Sequence, residues 1–469
     1  AVGYRVYEIQ SGASQFTESA AVFSNGNTTF ENDKYRVTVN GRGAISSLID
    51  KRDGDREWVQ SIGSLLMNDL GSGSGTTVPE NVGAVSASIY VNAGGSPAHR
   101  TRITLYKVVD RIDVENEITS NFASTTSYSF GFNLSGYTVR HEEVGAIAVA
   151  KYVEQGGSYS PNLARYDYLT LNHFVDISDA QRGMTLSNWD SQFFKLGNSV
   201  GNTLDGTTPQ VKAVVGGQLG GFGFANQDGD AYFRNRYALK RHGAYSSVAA
   251  MRTSLEHQNP LVTGNIPVND GRFPGTAYSL VGVSDSNVVL WSVKPSEEGI
   301  GQGVIVRVWN LDQSQHSFSL SLSNASLSGA SRTTHIETNT TSVSYAGAAI
   351  SDTLAAQWMQ TYRLRAAFSP PTGTTGGEVS VPQFIRLHQN YPNPFNPRTE
   401  IVFEVGRGAQ VSLKVFNILG QEVATLVERT MDKGVHRVEF NTAGMSSGVY
   451  LCRLTADGHS ATTKMVLTK

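Results

Sequence analysis

The side chains that could do chemistry are scattered. Ten histidines are spread over 469 residues, whereas a zinc ion needs three or four N, O or S ligands converging on one point. His335-Ile-Glu337 comes closest to a local pair. Alternate positions of an extended segment share a face, so it reads as an exposed strand surface rather than a metal site. A retaining glycosidase needs two carboxyls about 5 Å apart. Asp113, Glu115 and Glu117 project from one face of a predicted strand at a spacing of about 7 Å, which suits a solvated or loop-anchoring face better. Asp176 and Asp179 are expected to organise a turn through side-chain to backbone bonds, with a calcium site as the other reading. No Ser/His/Asp triad stands out. The pairs Gly216-Gly217 and Gly220-Gly221 lack the Gly-Lys-Ser/Thr ending and the strand-to-helix setting of a phosphate loop. The chain is therefore expected to lack a complete catalytic centre of its own.

The elements that would position these groups are strands. Hydrophobic residues make up 39% of the chain and charged residues 17%, with 48 glycines. That mix suits short strands joined by many turns. Tyr35-Arg-Val-Thr-Val39, Ala44–Asp50, Ile103–Val109, Arg111–Ile118, Val288–Val293 and Val304–Asn310 alternate with period two. The best helix candidate is short, Asp352 to Gln360. The fold class is all-β. A net charge of −2 shows no nucleic-acid stripe and no polybasic membrane patch, and no run of about 18 apolar residues spans a bilayer. The single cysteine, Cys452, allows no intrachain disulfide and reads as a buried strand residue. The tryptophans 58, 189, 291 and 309 could stack on sugars, with core packing the preferred reading.

Ser369-Pro-Pro-Thr-Gly-Thr-Thr-Gly-Gly-Glu378 is a linker. Four domains or segments follow from it and from a boundary near 270: residues 1–270, a large β-sandwich; 271–368, a small one; 369–380, the linker; and 381–469, a C-terminal sandwich. In the last, Leu387-His-Gln-Asn-Tyr-Pro-Asn-Pro-Phe-Asn-Pro397 precedes Val415–Val423, Gly448-Val-Tyr450 and Lys464–Leu467. These blocks, in this order, resemble the type A sorting domain of the type IX secretion system. The resemblance implies an Ig-like sandwich and passage through the outer membrane of a Gram-negative bacterium. It also implies secretion or display on the outer cell surface, with the secretion machinery as a partner.

The larger part carries Val2-Gly-Tyr-Arg-Val-Tyr7, Phe30–Val39, Gly43–Lys51, Arg111–Glu117, Phe174–Asp179, Gly183–Asp190, His257-Gln-Asn-Pro-Leu261, Leu290–Gly299, Val304–Asn310 and Gln360–Leu364. Their order resembles the C-terminal β region of glycoside hydrolase family 38, the zinc-dependent α-mannosidases, whose fold there is a β-supersandwich with further small β domains. The resemblance places the zinc site, which begins with a His-x-Asp pair, in a catalytic α/β domain upstream of Ala1. None of the ten histidines here is followed two residues later by Asp. Zinc is thus expected in that domain, no cofactor in this chain, and the upstream domain or polypeptide is a partner. In the family the β region lends side chains to the rim of the sugar site. The candidates here are His257 and Asn259, with Arg252 and Tyr159 behind them. The competing reading of His257-Gln-Asn259, just before Pro260, is a structural turn. The chain is expected to be the non-catalytic β portion of an exported α-mannosidase acting on terminal α-mannosides. The rival expectation is a surface, adhesive or self-assembling protein reusing these domains, with glycan binding or self-association as its activity.

Overall fold

In the computed structural model the described residues are 3–7, 18–122, 124–162, 165–216, 231–263, 277–369, 385–417, 421–442, 444–456 and 459–468. Both Gly-Gly pairs fall wholly or partly outside them, as do most of the linker and the segment around 270. The chain forms two compact units, Ala1–Gly373 and Thr374–Lys469. Strands dominate both. No helix among the described residues is long and apolar enough to cross a membrane.

The first unit opens with a sandwich of a nine-stranded and a ten-stranded antiparallel sheet. The middle of the nine-stranded sheet runs from Thr138–Glu143 through Phe174–Ser178, Gly183–Asn188, Phe233–His242 and Ile112–Ile118 to His99–Tyr106. Period-two alternation puts Ile112, Val114 and Ile118 in the core and leaves Asp113, Glu115 and Glu117 on the outer face. Tyr35, Val37, Trp58, Phe130 and Tyr237 fill the space between the sheets. Polar groups inside are paired: the amides of Asn68 and Asn116 bond reciprocally at 3.0 and 2.8 Å, and Thr101 donates to Asn116 at 2.8 Å. Gly43 makes room for this at φ +79°, since a Cβ there would sit 2.5 Å from Oγ1 of Thr101.

A four-stranded and a five-stranded sheet follow in the same unit, around Val306, Val308, Phe318, Leu320, Tyr362 and Leu364. The five-stranded sheet orders Val288–Pro295, Val304–Asn310, Met359–Phe368, Ala325–Thr333 and Asn339–Ser342. Asp352–Gln360 is no helix. Its first residues end the strand Ala349–Leu354 and its last begin Met359–Phe368, with Gln357 at φ +54° between them.

The helix lies elsewhere: α1, Ser247–Gln258. Ser246 caps it, its hydroxyl accepting from the Ala249 N–H at 3.3 Å, and Pro260 follows its end. Its buried residues are Ser247, Val248, Ala250, Met251, Thr253, Ser254 and His257, four of the seven polar. A third core ties Ile147 and Phe174 of the nine-stranded sheet, Val248, Ala250 and Met251 of α1, Val289 and Trp309 of the five-stranded sheet, and Leu311 just after it.

The second unit is a sandwich of a three- and a four-stranded sheet around Ile401, Phe403, Val411, Leu413, Cys452 and Met465. Its proline-rich lead-in is pinned in place. Asn390 donates to the Pro392 carbonyl at 3.0 Å and to Thr399 at 2.9 Å, Phe395 N–H donates to the Val466 carbonyl at 2.9 Å, and the Phe395 ring is buried.

Candidate functional site

Three of the four residues expected near a sugar rim, Arg252, His257 and Asn259, sit on or at the end of α1. His257 and Gln258 belong to the last helical turn rather than to a loop, and Asn259 is the C-cap. The helix packs on the strands Phe174–Ser178, Gly183–Asn188 and Phe233–His242. His257 is 7% exposed. Its Nδ1 lies 2.9 Å from the Ser187 hydroxyl, and its ring meets Trp189 edge-on with centroids 5.7 Å apart. Burial pushes the imidazole down to about 4, so near neutral pH it is uncharged and Nδ1 can accept the Ser187 proton. Trp189 carries on its ring the guanidinium of Arg236, 3.5 Å from the centroid. Arg236 in turn holds Asp190 through two bonds of 2.9 and 2.6 Å. Gln258 bonds the Asn188 carbonyl and, at 3.3 Å, that of His173.

Arg252 and Asn259 remain exposed. Arg252 donates to the Ser286 carbonyl at 2.9 Å, and the Asn259 amide to that of Leu255 at 2.9 Å. A groove of about 400 Å³ runs beside the helix, lined by Lys240, Arg252, Glu256, Ser286 and Asn287.

Tyr159 belongs to a second cluster. Its hydroxyl is 2.6 Å from Nε2 of His141 and 3.0 Å from Glu143, while Nδ1 of His141 meets the Thr170 carbonyl at 3.0 Å. Burial lowers His141 to about 4 and, with Glu143, raises the phenol. Nδ1 therefore carries the ring proton, and the phenol proton serves either Nε2 or the Glu143 carboxylate. Next in sequence, Glu142 is fully buried. Its Oε2 takes the His173 backbone N–H at 3.1 Å and faces Nδ1 of His173 at 2.9 Å, while Oε1 has no partner among the described residues. His173 leans edge-on against Trp291 at 5.1 Å, and Trp291 against Trp309 at 5.2 Å. His173, through Gln258, is where the two clusters approach each other. Glu142, His173 and Ser187 were not singled out in the sequence. His141 could have been, because it shares the core-facing phase of Val139.

Asp176 does not organise a turn. It is fully buried in a strand and accepts from Ser178 at 2.7 Å and Thr185 at 2.7 Å, with Nε2 of His242 at 2.6 Å. Asp179 does organise one, taking the N–H groups of Gln181 and Arg182 at 2.7 and 2.8 Å. The outer carboxylates are engaged: Tyr106 donates to Asp113 at 2.7 Å, Arg102 to Glu115 at 2.8 Å, and Tyr232 to Glu117 at 2.7 Å. Glu337 binds Lys294 rather than a metal, and its backbone N–H neighbour Glu297 donates to it at 3.0 Å. Among the described residues no three His, Cys, Asp or Glu side chains converge on one point, and both ring nitrogens of His141 are occupied.

Residues 287–362 match the glycosyl hydrolases family 38 C-terminal beta sandwich domain, and residues 389–468 match the secretion system C-terminal sorting domain. One chain thus carries a family 38 C-terminal β-sandwich domain at 287–362 and a secretion-sorting domain at 389–468. Over 76% of its length the chain shares its fold with 46% of a protein in glycosyl hydrolase family 38 from Enterococcus faecalis, at a TM-score of 0.56 and 14% identity. An α-mannosidase from Enterococcus faecalis V583 gives 0.55 and 12% over 75% and 43%. The chain thus spans less than half the length of either. None of the curated proteins matches it in sequence. The sorting domain makes it a secreted or cell-surface protein.

Proposed function

We propose that this chain is the C-terminal β portion of a secreted, zinc-dependent α-mannosidase, and that it scaffolds a catalytic α/β domain encoded upstream. The observation that carries this reading is the family 38 match at 287–362, in a unit whose fold follows family 38 proteins over three quarters of the chain. The zinc and the reacting carboxylates belong to the upstream domain. The task of this chain is shape. Ser187 and Gln258 fix α1 to the sheet, and the exposed Arg252 and Asn259 stand at the cleft rim, where hydroxyls of a mannoside would meet them. Tyr159, braced by His141, supports the neighbouring wall. His257 acts as a positioning residue, because its Nδ1 is engaged by Ser187 and its ring packs on Trp189.

The test is reconstitution. The upstream reading frame is expressed alone and with this chain, and hydrolysis of an aryl α-mannoside is followed. Activity that appears only in the combined protein, with KM raised by Arg252→Ala while the zinc content is unchanged, supports the proposal. An upstream frame without a zinc-bearing domain, or full activity without this chain, overturns it.

A further inference from the structure

We infer that the five-stranded sheet, at the end near Asn339–Ser342, holds a binding site for a sugar residue that carries a carboxylate, a uronic acid. The site is independent of any catalytic domain upstream. A cavity of about 250 Å³ opens there, lined by Ser331, Asn339, Ser342, Tyr345, Arg363 and Arg365. Its floor follows from the backbone. The strand Ala325–Thr333 slips register against Met359–Phe368 between Leu327 and Gly329, and Gly329 lies opposite Arg365. With no side chain at Gly329 the dip stays open, and a Cβ there would touch only the aliphatic stem of Arg365 at 3.7 Å.

The charges in and beside the cavity are unequally spent. Arg363 is buried, giving one N–H to Glu298 at 2.9 Å and another to the Glu337 carbonyl at 2.9 Å. Its Nε–H has no acceptor among the described residues. Arg332, one position from Ser331, is committed to Asp352. Arg365 is exposed, and its guanidinium makes no ion pair among the described residues. The wall thus offers one uncompensated planar cation, whose fork matches a carboxylate.

The remaining lining is neutral and suits a sugar ring. Tyr345 is 44% exposed and presents an aromatic surface. Ser331 and Ser342 stand directly opposite each other across the strand pair, and Asn339 adds an amide that both donates and accepts. A neutral sugar would leave Arg365 unused, and a simple inorganic anion would leave Tyr345 and Asn339 unused. A uronic acid uses all three: carboxylate on Arg365, ring face on Tyr345, hydroxyls on Asn339 and the serines.

The full chain is titrated by calorimetry with an oligomer of galacturonic acid, with a glucose oligomer of equal length, and with sodium sulfate. Saturable binding of the uronate oligomer is expected, falling with added salt. It should weaken about tenfold or more in Arg365→Gln and in Tyr345→Ala, which is a loss of about 1.4 kcal/mol or more. Both residues are on the surface, so the melting temperature should not move, and a melt on the same samples checks this. The proposal fails if the uronate oligomer shows no saturable binding, or if the glucose oligomer binds as tightly. It also fails if sulfate gives the same heat and Tyr345→Ala changes nothing, for then the cavity takes an adventitious ion only.

Discussion

The Ser187 hydroxyl and Nδ1 of His257 lie 2.9 Å apart, and through them the nine-stranded sheet grips the last turn of α1. A serine and a histidine at this distance invite thoughts of nucleophilic catalysis. The surroundings decide otherwise. His257 is neutral and buried against Trp189, and the Ser187 side chain is fully buried. The pair is a clasp.

Its pH dependence follows from the sign of the shift. Burial holds His257 and His141 at about 4 in the folded protein, against about 6.5 when unfolded. Between those values the unfolded chain binds more protons, so stability is full above about pH 6.5 and falls as pH drops toward 4, by on the order of 1 kcal/mol per unit for each histidine. His242, raised by Asp176 against the effect of its burial, and His316, raised by Asp312 and Asp285, act in the opposite sense. The difference between variants is therefore the clean readout. Urea midpoints at pH 7 and 5 should converge in His257→Gln. An unchanged gap would show that the imidazole is not buried as described.

Trp309 is fully buried in the core that joins the sheet, α1 and the five-stranded sheet. Trp309→Ala should cost about 3–5 kcal/mol. Hydrogen exchange should accelerate in Val248–Met251 while the core around Trp58 keeps its protection. Equal loss in both places would mean that this joint is not a separate core.

The Cys452 thiol is buried in the second unit, and burial pushes it up to about 12. A disulfide reagent should leave it untouched at pH 8 until denaturant is added. Rapid labelling of the native protein would contradict this placement.

The same thiol reports on the sorting domain. Phe395→Ala should cost about 3–5 kcal/mol, because the ring fills the core beside Phe440. Cys452 should then label at lower denaturant while the transition of the first unit stays put. A joint shift of both transitions would contradict the division into two compact units.

Zinc added to the full chain should be removed by dialysis, as read by atomic emission. Retention of one equivalent would require ligands that no group among the described residues supplies.

Much of this was legible in the sequence wherever one face of a strand is buried. Tyr35–Val39 and Val304–Asn310 are bounded as their alternation predicts. Helix α1 was not, because four of its seven buried residues are Ser, Thr, Ser and His, and a hydropathy pattern cannot see polar groups buried by partners elsewhere. Glu422–Met431 is an edge strand, mostly exposed and with little alternation. Asp176 looked like a turn former because its partner His242 is 66 positions away. Of the residues expected at a rim, three share α1, and nothing in their local pattern marks His257 as buried. The His173–Glu142 pair, 31 positions apart, left no local trace.

The place of Phe233–His242, between Ile112–Ile118 and Gly183–Asn188, carries a cost in time. A strand more than a hundred residues downstream closes the middle of the sheet. Until it arrives, Ile112–Ile118 and Gly183–Asn188 each present an open hydrogen-bonding edge to whatever lies nearby. Pairing across so long a loop is slow. A chain halted before residue 233 would therefore be two sticky half-sheets, and the passage from synthesis to export is the interval in which this protein most needs shielding from its own copies.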